Sequence, residues 1–411
     1  MKILFVTDAY DPQVNGVVIT IKNLKRVLEE NGHTIEVIEP NQFFGIHVFV
    51  YPELKWSLDL WRVGPMIRAS KPDAIHIFTE GMLGLAARFY CEWAEPEIPF
   101  TTSYHTRFPE FFNMYFHIPL TVSYSVINWF HSKAQSTLVP TPSMMDFMKE
   151  KVPNANWKLW TRGVNPKIYN PEMKLQANCL IPEIVNLKRP ILLCVSRVSL
   201  EKGLDDFCKL KTSGTKVVVG DGPSKKSLEA KYPDVIFTGA MFGSKLASVY
   251  AYADCFVFPS RVDTFGNVMI ESMASGTPIA GYRVTGPKDV LIEGVSGYML
   301  DEGLEASVEA CLKLDRQLVH EASQDWTIES CVAIFTKNLH RLPIDFWLNN
   351  ALYNQQPTSQ SLSKRYFKRL IYILEIFFLA FYTQYDGKNV FILGFISLFI
   401  ILLNMLLWTA F

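Results

Sequence analysis

The sequence lacks the features that mark several large classes of protein. Lysine plus arginine number 40 and aspartate plus glutamate also number 40, so the formal net charge at pH 7 is 0. No overall basic field therefore favours binding to nucleic acid. The chain has 7 cysteines in 411 residues, with no close pair among them. An odd number without metal-ligand spacing predicts reduced thiols in a cytosolic setting rather than a disulfide framework.

The amino terminus also lacks the long apolar stretch of a signal peptide. Residues 2–7 are a short apolar run that ends at Asp8, which is typical of a first buried strand. The loop that follows has the single Gly16 where a dinucleotide fingerprint needs three glycines, so a nicotinamide cofactor is not favoured. Gly16 at a helix start still predicts a place where a phosphate approaches backbone N–H groups, with an ordinary strand-to-helix turn as the alternative.

A long hydrophobic run occupies the carboxyl end. Residues 390–411 carry no charged side chain, and about 20 apolar residues suffice to span a bilayer as a helix. A basic cluster at 364–369 precedes a second apolar stretch, 370–382, which is interrupted by Glu375. We expect one or two membrane segments within 366–411 and a polar tether over 341–365. A core helix of a soluble domain is the alternative.

Apolar strands alternate with amphipathic helices in two successive series, at 1–170 and at 185–340. Such alternation predicts parallel sheets covered by helices on both faces. Since 411 residues exceed one ordinary core, we expect an α/β chain of two doubly wound domains, with a cleft between the carboxyl ends of their strands. The predicted strands are 2–7, 34–38, 74–78, 100–103 and 137–139 in the first series, and 191–196, 216–219, 235–237, 255–258 and 278–280 in the second.

Two carboxylates, Asp263 and Glu271, follow the predicted strand at 255–258. A turn separates them, and a short helix carries Glu271. Acids placed in this way can face one cleft and hold hydroxyl groups, or they can serve as a general acid and base.

Cations and a histidine follow other strands. Arg197 and Lys202 come after the first strand of the second series, where they can converge on a diphosphate or remain solvated surface cations. His105 lies at the carboxyl end of its strand, the usual place for a ligand-facing residue, although a structural role is the alternative. The aromatic residues after it fit core packing or lipid contact equally well. They are Phe108, Phe111, Phe112, Tyr115, Phe116, Tyr124, Trp129 and Phe130.

Taken in order, these motifs resemble those of the retaining glycosyltransferases of family 4, which adopt the GT-B fold of two facing Rossmann-like domains. The resemblance spans about residues 1–340. Within the family, segments 12–17 and 103–106 are most similar to GDP-mannose-dependent α-mannosyltransferases and to sulfoquinovosyl and related diacylglycerol glycosyltransferases. The matching segments are Asn15-Gly16-Val17, Tyr104-His105-Thr106, Arg162-Gly163-Val164, Ser196-Arg197 with Glu201-Lys202-Gly203, Gly220-Asp221-Gly222-Pro223, Phe237-Thr238-Gly239, and Asp263 with Glu271.

The resemblance implies a role for each matching position. The implied catalytic residues are His105 facing the donor sugar, Arg197 and Lys202 neutralising the leaving diphosphate, and Asp263 holding sugar hydroxyls. The implied donor-binding residues are Gly16 at the phosphates, Gly239 and Met241 near the base, Phe265, Gly266 and Asn267 supporting the sugar through their backbone, and Glu271 accepting the ribose hydroxyls. Two positions depart from the family pattern: Asp263, where glutamate is common, and Asn165, where aspartate is common.

The implied reaction moves a hexose to a lipid or lipid-linked glycan with retention of configuration. Mannose from GDP-mannose is the favoured donor, and a UDP-sugar-dependent diacylglycerol glycosyltransferase is the alternative. No metal or other cofactor is expected, because the family needs none and the sequence shows no acidic metal triad. We expect the catalytic domains at the cytoplasmic side of the inner cell membrane. A nucleotide-sugar epimerase and a non-catalytic membrane binding module are alternatives of other classes.

Overall fold

A computed structural model describes residues 1–48, 51–94 and 97–349 of the chain. The strands in this part are β1 (Lys2–Val6), β2 (Thr34–Ile38), β3 (Gly45–Val48), β4 (Tyr51–Ser57), β5 (Ala74–Ile77), β6 (Thr101–Ser103), β7 (Thr137–Val139), β8 (Trp157–Leu159), β9 (Ile191–Val195), β10 (Thr215–Val219), β11 (Val235–Gly239), β12 (Cys255–Phe258), β13 (Ile279–Tyr282) and β14 (Gly297–Leu300).

The helices in the described part are α1 (Gly16–Glu30), α2 (Val63–Ser70), α3 (Met82–Trp93), α4 (Phe108–Phe116), α5 (Leu120–His131), α6 (Pro142–Lys151), α7 (Ala177–Leu180), α8 (Pro182–Val185), α9 (Leu204–Lys209), α10 (Lys225–Lys231), α11 (Gly243–Tyr252), α12 (Asn267–Ala274), α13 (Pro287–Val290), α14 (Glu305–Cys311), α15 (Arg316–Glu321), α16 (Ile328–Asn338) and α17 (Phe346–Asn349).

The strands form two six-stranded parallel sheets, one in each half of the chain. Their orders are β2-β1-β5-β6-β7-β8 and β11-β10-β9-β12-β13-β14, and β3 and β4 form a separate antiparallel hairpin. The central strands β5, β9 and β12 are buried along their whole length, because helices cover both faces of each sheet. The prediction of two doubly wound, Rossmann-like domains is confirmed.

Every strand predicted from the sequence is present, with its ends shifted by no more than about two residues, as is usual for such boundaries. The prediction missed β8 and β14, which are short edge strands with partly exposed residues, and the β3–β4 hairpin, which lies outside both sheets. Lys158 interrupts β8, and Glu53 and Lys55 interrupt β4, so neither gives a continuous apolar run, and β14 is only 4 residues long.

The chain crosses between the two domains twice, and the crossings lie side by side. Val164, on the outward crossing, forms a parallel bridge with Thr327 on the return, and its N–H donates to the carbonyl of Trp326 at 2.9 Å. Helix α16 then packs against the first sheet, where Phe335 is fully buried beside Phe5. Helix α16 lies within residues 185–340, which were predicted as the second domain, yet it completes the core of the first domain. The domain limits themselves stay predictions.

The chain continues on the first domain after α16. The N–H of Leu342 donates to the carbonyl of Asp73 at 2.8 Å, and the indole Nε1 of Trp347 donates to the carbonyl of Pro72 at 2.8 Å. No helix in the described ranges is both long enough and apolar enough to cross a bilayer. The predicted membrane segments at 366–411 and most of the predicted tether lie outside those ranges.

Candidate functional site

The loops at the carboxyl ends of the two sheets meet, and they carry the residues singled out in the sequence. The hydroxyl of Thr264, after β12, donates to the carbonyl oxygen of His105, after β6, at 2.7 Å. The side-chain amide of Asn267 donates to the carbonyl oxygen of Gly16 at 3.3 Å. The structure therefore brings the Gly16 and His105 segments of the first domain against the Asp263–Asn267 segment of the second.

Lys202 and Asp263 form an ion pair within the second domain. The ammonium of Lys202 donates to Oδ1 of Asp263 at 2.7 Å, and about a quarter of each side chain is exposed. Burial opposes both charges, yet the attraction between the two groups wins: the pKa of Lys202 is raised and that of Asp263 is lowered. Both groups are therefore charged at neutral pH. An ammonium has three donors, so Lys202 can hold Asp263 and a phosphate oxygen together.

Arg197 contacts a carboxylate of the other domain. Its Nη2 donates to Oε1 of Glu53, on β4, at 2.7 Å, and both side chains are about one-third exposed. Exposed pairs of this kind contribute little stability, so the contact opens at small cost. Arg197 and Lys202 thus lie at the same interface, but each contacts a carboxylate of its own in this structure.

Glu271 is buried on α12. The hydroxyl of Tyr250, on α11, donates to its Oε2 at 3.1 Å, and 8% of the residue is exposed. Burial raises the pKa of this carboxyl to about 7, against the opposing effect of the Tyr250 hydrogen bond. Glu271 therefore changes protonation near neutral pH. Asp263 and Glu271 sit on one loop and helix, but they have different partners and opposite pKa shifts.

Two helix N-termini meet at the interface. Helix α12 begins after Gly266, which has φ +91° and where a Cβ would lie 2.9 Å from Cζ of Phe258, so only glycine fits. Asn267, the first residue of α12, contacts Gly16, the first residue of α1. Helix N-termini carry partial positive charge, so this junction favours an anion. In α1 the side chain of Asn15 caps the N–H groups of Val17 and Val18. Phe265 is buried against Trp326 and anchors the loop.

The predicted base site lies at the end of β11. Gly239 has φ +79°, and its carbonyl accepts from the N–H of Gly220 at 3.0 Å. Asp221 accepts from the N–H of Ala240 at 2.7 Å, which fixes the two loops together. The side chain of Met241 is buried in the core of the second domain, so its backbone rather than its side chain is left to contact a base.

The imidazole of His105 has a protein partner at each nitrogen. Nδ1 accepts from Nη2 of Arg162 at 3.1 Å, and Nε2 lies 2.8 Å from the hydroxyl oxygen of Ser103. Burial, followed by the nearby charge of Arg162, holds the pKa of His105 well below its ordinary value. The ring is neutral at physiological pH, and neither nitrogen is free to act as a general acid or base in this arrangement.

Sequence reasoning missed several residues at this interface. Glu53 lies on an unpredicted strand, and Tyr250 gave no signal beyond the apolar face of α11. Thr264 directly follows Asp263, and Arg162 lies in a segment that matched the family, yet neither was given a role. Tyr115 was considered only as an aromatic, although its hydroxyl donates to Oε2 of Glu201 in the other domain at 2.7 Å.

Two family models match the chain. "Glycosyltransferase Family 4" matches residues 14–168, and "Glycosyl transferases group 1" matches residues 189–316. The two matches fall on the two sheets, one on each. They therefore follow the same division of the chain that the fold shows.

Curated relatives match over most of their length. A GDP-mannose-dependent alpha-mannosyltransferase of Corynebacterium glutamicum is 33% identical over 73% of this chain and 77% of its own. Sulfoquinovosyl transferase SQD2 of Arabidopsis thaliana is 30% identical over 77% and 66%, respectively. An alpha-monoglucosyldiacylglycerol synthase of Streptococcus pneumoniae is 24% identical over 91% and 92%. Among solved structures, sucrose-phosphate synthase from Thermosynechococcus elongatus superposes with a TM-score of 0.64 at 18% identity, over 82% of this chain and 97% of its own.

We expect Glu271→Gln to change the pH dependence of stability. Because the folded-state pKa of about 7 lies above the ordinary 4.5, the folded state binds the proton more tightly, and stability falls as pH rises from about 4.5 through 7. Glutamine removes this penalty, which is roughly 3 kcal/mol at full ionisation. Denaturant unfolding at pH 5 and pH 8 should therefore show the variant gaining on the wild type at the higher pH. The exposed Glu309→Gln serves as control, and equal gains in both variants would contradict the assignment.

Proposed function

Because the chain belongs to glycosyltransferase family 4 and is a glycosyltransferase, we propose that it transfers mannose from GDP-mannose to a lipid or lipid-linked glycan. The mannosyltransferase relative at 33% identity supports this choice of donor. The observation that carries the proposal is the interface where the N-termini of α1 and α12 meet, with the Lys202–Asp263 pair and Arg197 on neighbouring loops and Glu271 on α12. That combination suits a ligand with a diphosphate and two sets of sugar hydroxyls.

The donor diphosphate lies at the junction of α1 and α12 in this proposal. Gly16 and the N-terminus of α1 face its oxygens, and Lys202 and Arg197 neutralise the charge that grows on it as the glycosidic bond breaks. Arg197 exchanges the exposed carboxylate of Glu53 for a phosphate, to which its planar guanidinium donates two hydrogen bonds. Lys202 keeps Asp263 while it contacts the phosphate.

Asp263 and Glu271 hold the two sugars of the donor. Asp263 accepts from hydroxyls of the transferred hexose, with the backbone of Phe265, Gly266 and Asn267 beside it. Glu271 accepts from the ribose hydroxyls, which requires its ionised form, and the base lies against the backbone at Gly239 and Met241. A carboxylate with a pKa of about 7 is ionised more fully once two hydroxyls donate to it.

The transfer step needs no protein base in this scheme. The acceptor oxygen bonds to the anomeric carbon on the face from which the phosphate leaves, and the acceptor proton passes to the departing phosphate. Configuration is therefore retained. The neutral His105, whose ring nitrogens are both occupied, and the paired Asp263 fit this scheme because neither is set to take the proton. The described residues contain no cluster of three metal-binding side chains, and we propose a metal-free reaction on the family resemblance.

A UDP-sugar-dependent diacylglycerol glycosyltransferase is the second candidate. It is favoured by the relative named alpha-monoglucosyldiacylglycerol synthase, which aligns with 91% of the chain. The two candidates differ in the base and sugar of the donor, and they share the diphosphate contacts and the lipid character of the acceptor.

The donor is identified by a thermal-shift screen followed by transfer to membrane extract in detergent. We expect GDP-mannose to raise the unfolding temperature most, because a ligand at about 100 times its Kd adds roughly 2.7 kcal/mol. Mass spectrometry and anomeric NMR should then show one α-linked mannose on a lipid. Stabilisation and transfer by a UDP-sugar instead would establish the second candidate. Donor incubated alone and recovered as an epimer would establish an epimerase.

Two variants separate the roles of the carboxylates. Glu271→Gln should weaken GDP binding about tenfold or more, because it removes charge-assisted hydrogen bonds to the ribose. Asp263→Asn should leave GDP affinity nearly unchanged and lower kcat. Calorimetric titration with GDP and steady-state kinetics measure both, with Glu309→Gln as the surface control. Equal GDP affinity in wild type and Glu271→Gln would show that the ribose assignment is wrong.

The enzyme is held at the inner face of the cell membrane by residues 366–411 in this proposal. The uncharged run at 390–411 and the basic cluster at 364–369 support it. A chain that ends at residue 365 should move to the supernatant after centrifugation of lysed cells, whereas the full chain should pellet with membranes and resist extraction by carbonate. Equal sedimentation of both chains would place the membrane contact elsewhere.

A further inference from the structure

Arg162 is a buried cation whose partners are a carbonyl, an aromatic ring and an imidazole. The residue is 4% exposed, its Nη1 donates to the carbonyl of Trp160 at 2.9 Å, and its guanidinium carbon lies 4.3 Å from the Trp160 ring centroid. Its Nη2 reaches Nδ1 of His105. Burial lowers the pKa of Arg162 to about 10, so the group is still charged at neutral pH.

The contact with Arg162 determines which nitrogen of His105 carries the proton. A guanidinium only donates hydrogen bonds, so Nδ1 of His105 must accept and must be bare. The ring proton then sits on Nε2 and is donated to the hydroxyl oxygen of Ser103 at 2.8 Å. Ser103 keeps its own proton to donate elsewhere.

The far end of the same hydrogen-bond chain fixes the same direction independently. The hydroxyl of Thr101 donates to the carbonyl of Ile75 at 3.1 Å, so it accepts from Nδ1 of His76 at 2.8 Å. Nε2 of His76 is then bare and accepts from the hydroxyl of Ser103 at 3.0 Å. Each polar atom from Arg162 to Ile75 thus has a partner of the right kind, and both ends require the same tautomers.

Protonation of His105 would disrupt this chain. A proton on Nδ1 would break the bond from Arg162 and would place two cations in contact in a buried site. The charged or titratable groups that act on His105 are Arg162 and His76, and both lower its pKa. His76 is itself neutral, since burial lowers its pKa to about 3. An arginine stays protonated at every physiological pH, whereas a hydroxyl or amide partner would let the ring flip or titrate.

The fixed ring also fixes the loop that carries Asp263. The carbonyl of His105 accepts from the hydroxyl of Thr264, the residue after Asp263. His105 therefore joins Arg162, which it contacts through its ring, to the segment of the sugar-binding carboxylate, which it contacts through its carbonyl. Arg162 thus holds one end of the residue whose other end binds the Asp263 loop.

We infer that Arg162 is a positioning residue for the transfer reaction: it locks His105 as a neutral imidazole with the proton on Nε2, and through the His105 carbonyl it sets the position of the Asp263 loop. The inference rests on the proposed role of Asp263 at the donor sugar. The lock itself is a property of the protein without donor, and it is measured separately.

The lock is tested by ¹⁵N NMR of histidine-labelled full-length protein in detergent, without donor. The chain has 8 histidines, and a His105→Gln spectrum assigns the signal of interest. We expect the His105 signals to show a bare Nδ1 and a protonated Nε2 that do not change between pH 5.5 and 8. A ring of the opposite tautomer, or one that titrates near its ordinary pKa of about 6.5, would overturn the inference in the wild-type protein alone.

The consequence for turnover is tested with Arg162→Met and Arg162→Lys. Arg162→Met should lower kcat roughly 10- to 100-fold, because small misplacements of a reacting geometry cost that much, while affinity for GDP alone is unchanged. It should also add a loss of kcat at acidic pH that the wild type lacks, because the charge of Arg162 no longer opposes protonation of His105, although burial still does. Arg162→Lys, which keeps a cationic donor, should recover part of kcat and the flat pH profile.

Arg316→Met is the control for the loss of an arginine that is partly buried and donates to carbonyls. Arg316 also donates to backbone carbonyls, of Ala251 and Ala253, but it lies within the second domain. Its variant should lower stability and leave the His105 tautomer as in the wild type. If the His105 tautomer and the pH profile of kcat are unchanged in Arg162→Met, the inference is wrong. If Arg162→Met has an altered His105 tautomer but a normal kcat, Arg162 has only a structural role. If the tautomer is altered in the variant and the wild type transfers no sugar from any donor, the proposed function is wrong instead.

Discussion

The site depends on one constraint: charged side chains are partly or fully removed from water where the carboxyl ends of the two parallel sheets meet. A buried ion loses several kcal/mol of hydration unless neighbours replace it. The protein meets this cost in three ways. Lys202 and Asp263 pair with each other, Arg162 lies on an indole ring and donates to a carbonyl and an imidazole, and Glu271 shifts its protonation toward neutral pH. We propose that a ligand with two sugars and a diphosphate completes the hydrogen bonding of these groups.

The fold was largely predictable because strands buried on both faces read as continuous apolar runs. That signal located β1, β9 and β12 and hence the ends where ligands bind. The same signal did not predict the β3–β4 hairpin, in which β4 carries Glu53, or the return of α16 to the first sheet. The return depends on contacts such as Phe335 with Phe5, which lie far apart in sequence. Local patterns do not contain that information.

The site was predictable as a set of positions but not as a set of bonds. Asp263 and Glu271 were expected to face one cleft, and the structure puts them on one loop and helix. Their opposite pKa shifts arise from Lys202 and from burial beside Tyr250, neither of which spacing reveals. His105 was expected at a strand end and lies there. That both of its nitrogens are occupied follows from Ser103 and from Arg162, which is 57 residues away in the chain.

The contacts between the domains are polar and local. Tyr115 donates to Glu201, the N–H of Ser143 donates to Asp289 at 3.0 Å, and Thr264 donates to the His105 carbonyl. Water replaces such bonds at small cost, so these contacts hold the two domains together only weakly. The two crossings are joined at Val164 and Thr327 by a parallel bridge. Any movement between the domains therefore has to bend both crossings together.

The described residues that follow α16 are bonded to the first domain. Leu342 and Trp347 both donate to carbonyls of the first domain, so the described chain ends against that domain and not against its partner. A movement of the second domain about the crossings at Val164 and Thr327 therefore leaves Leu342 and Trp347, near the end of the described chain, in place on the first domain.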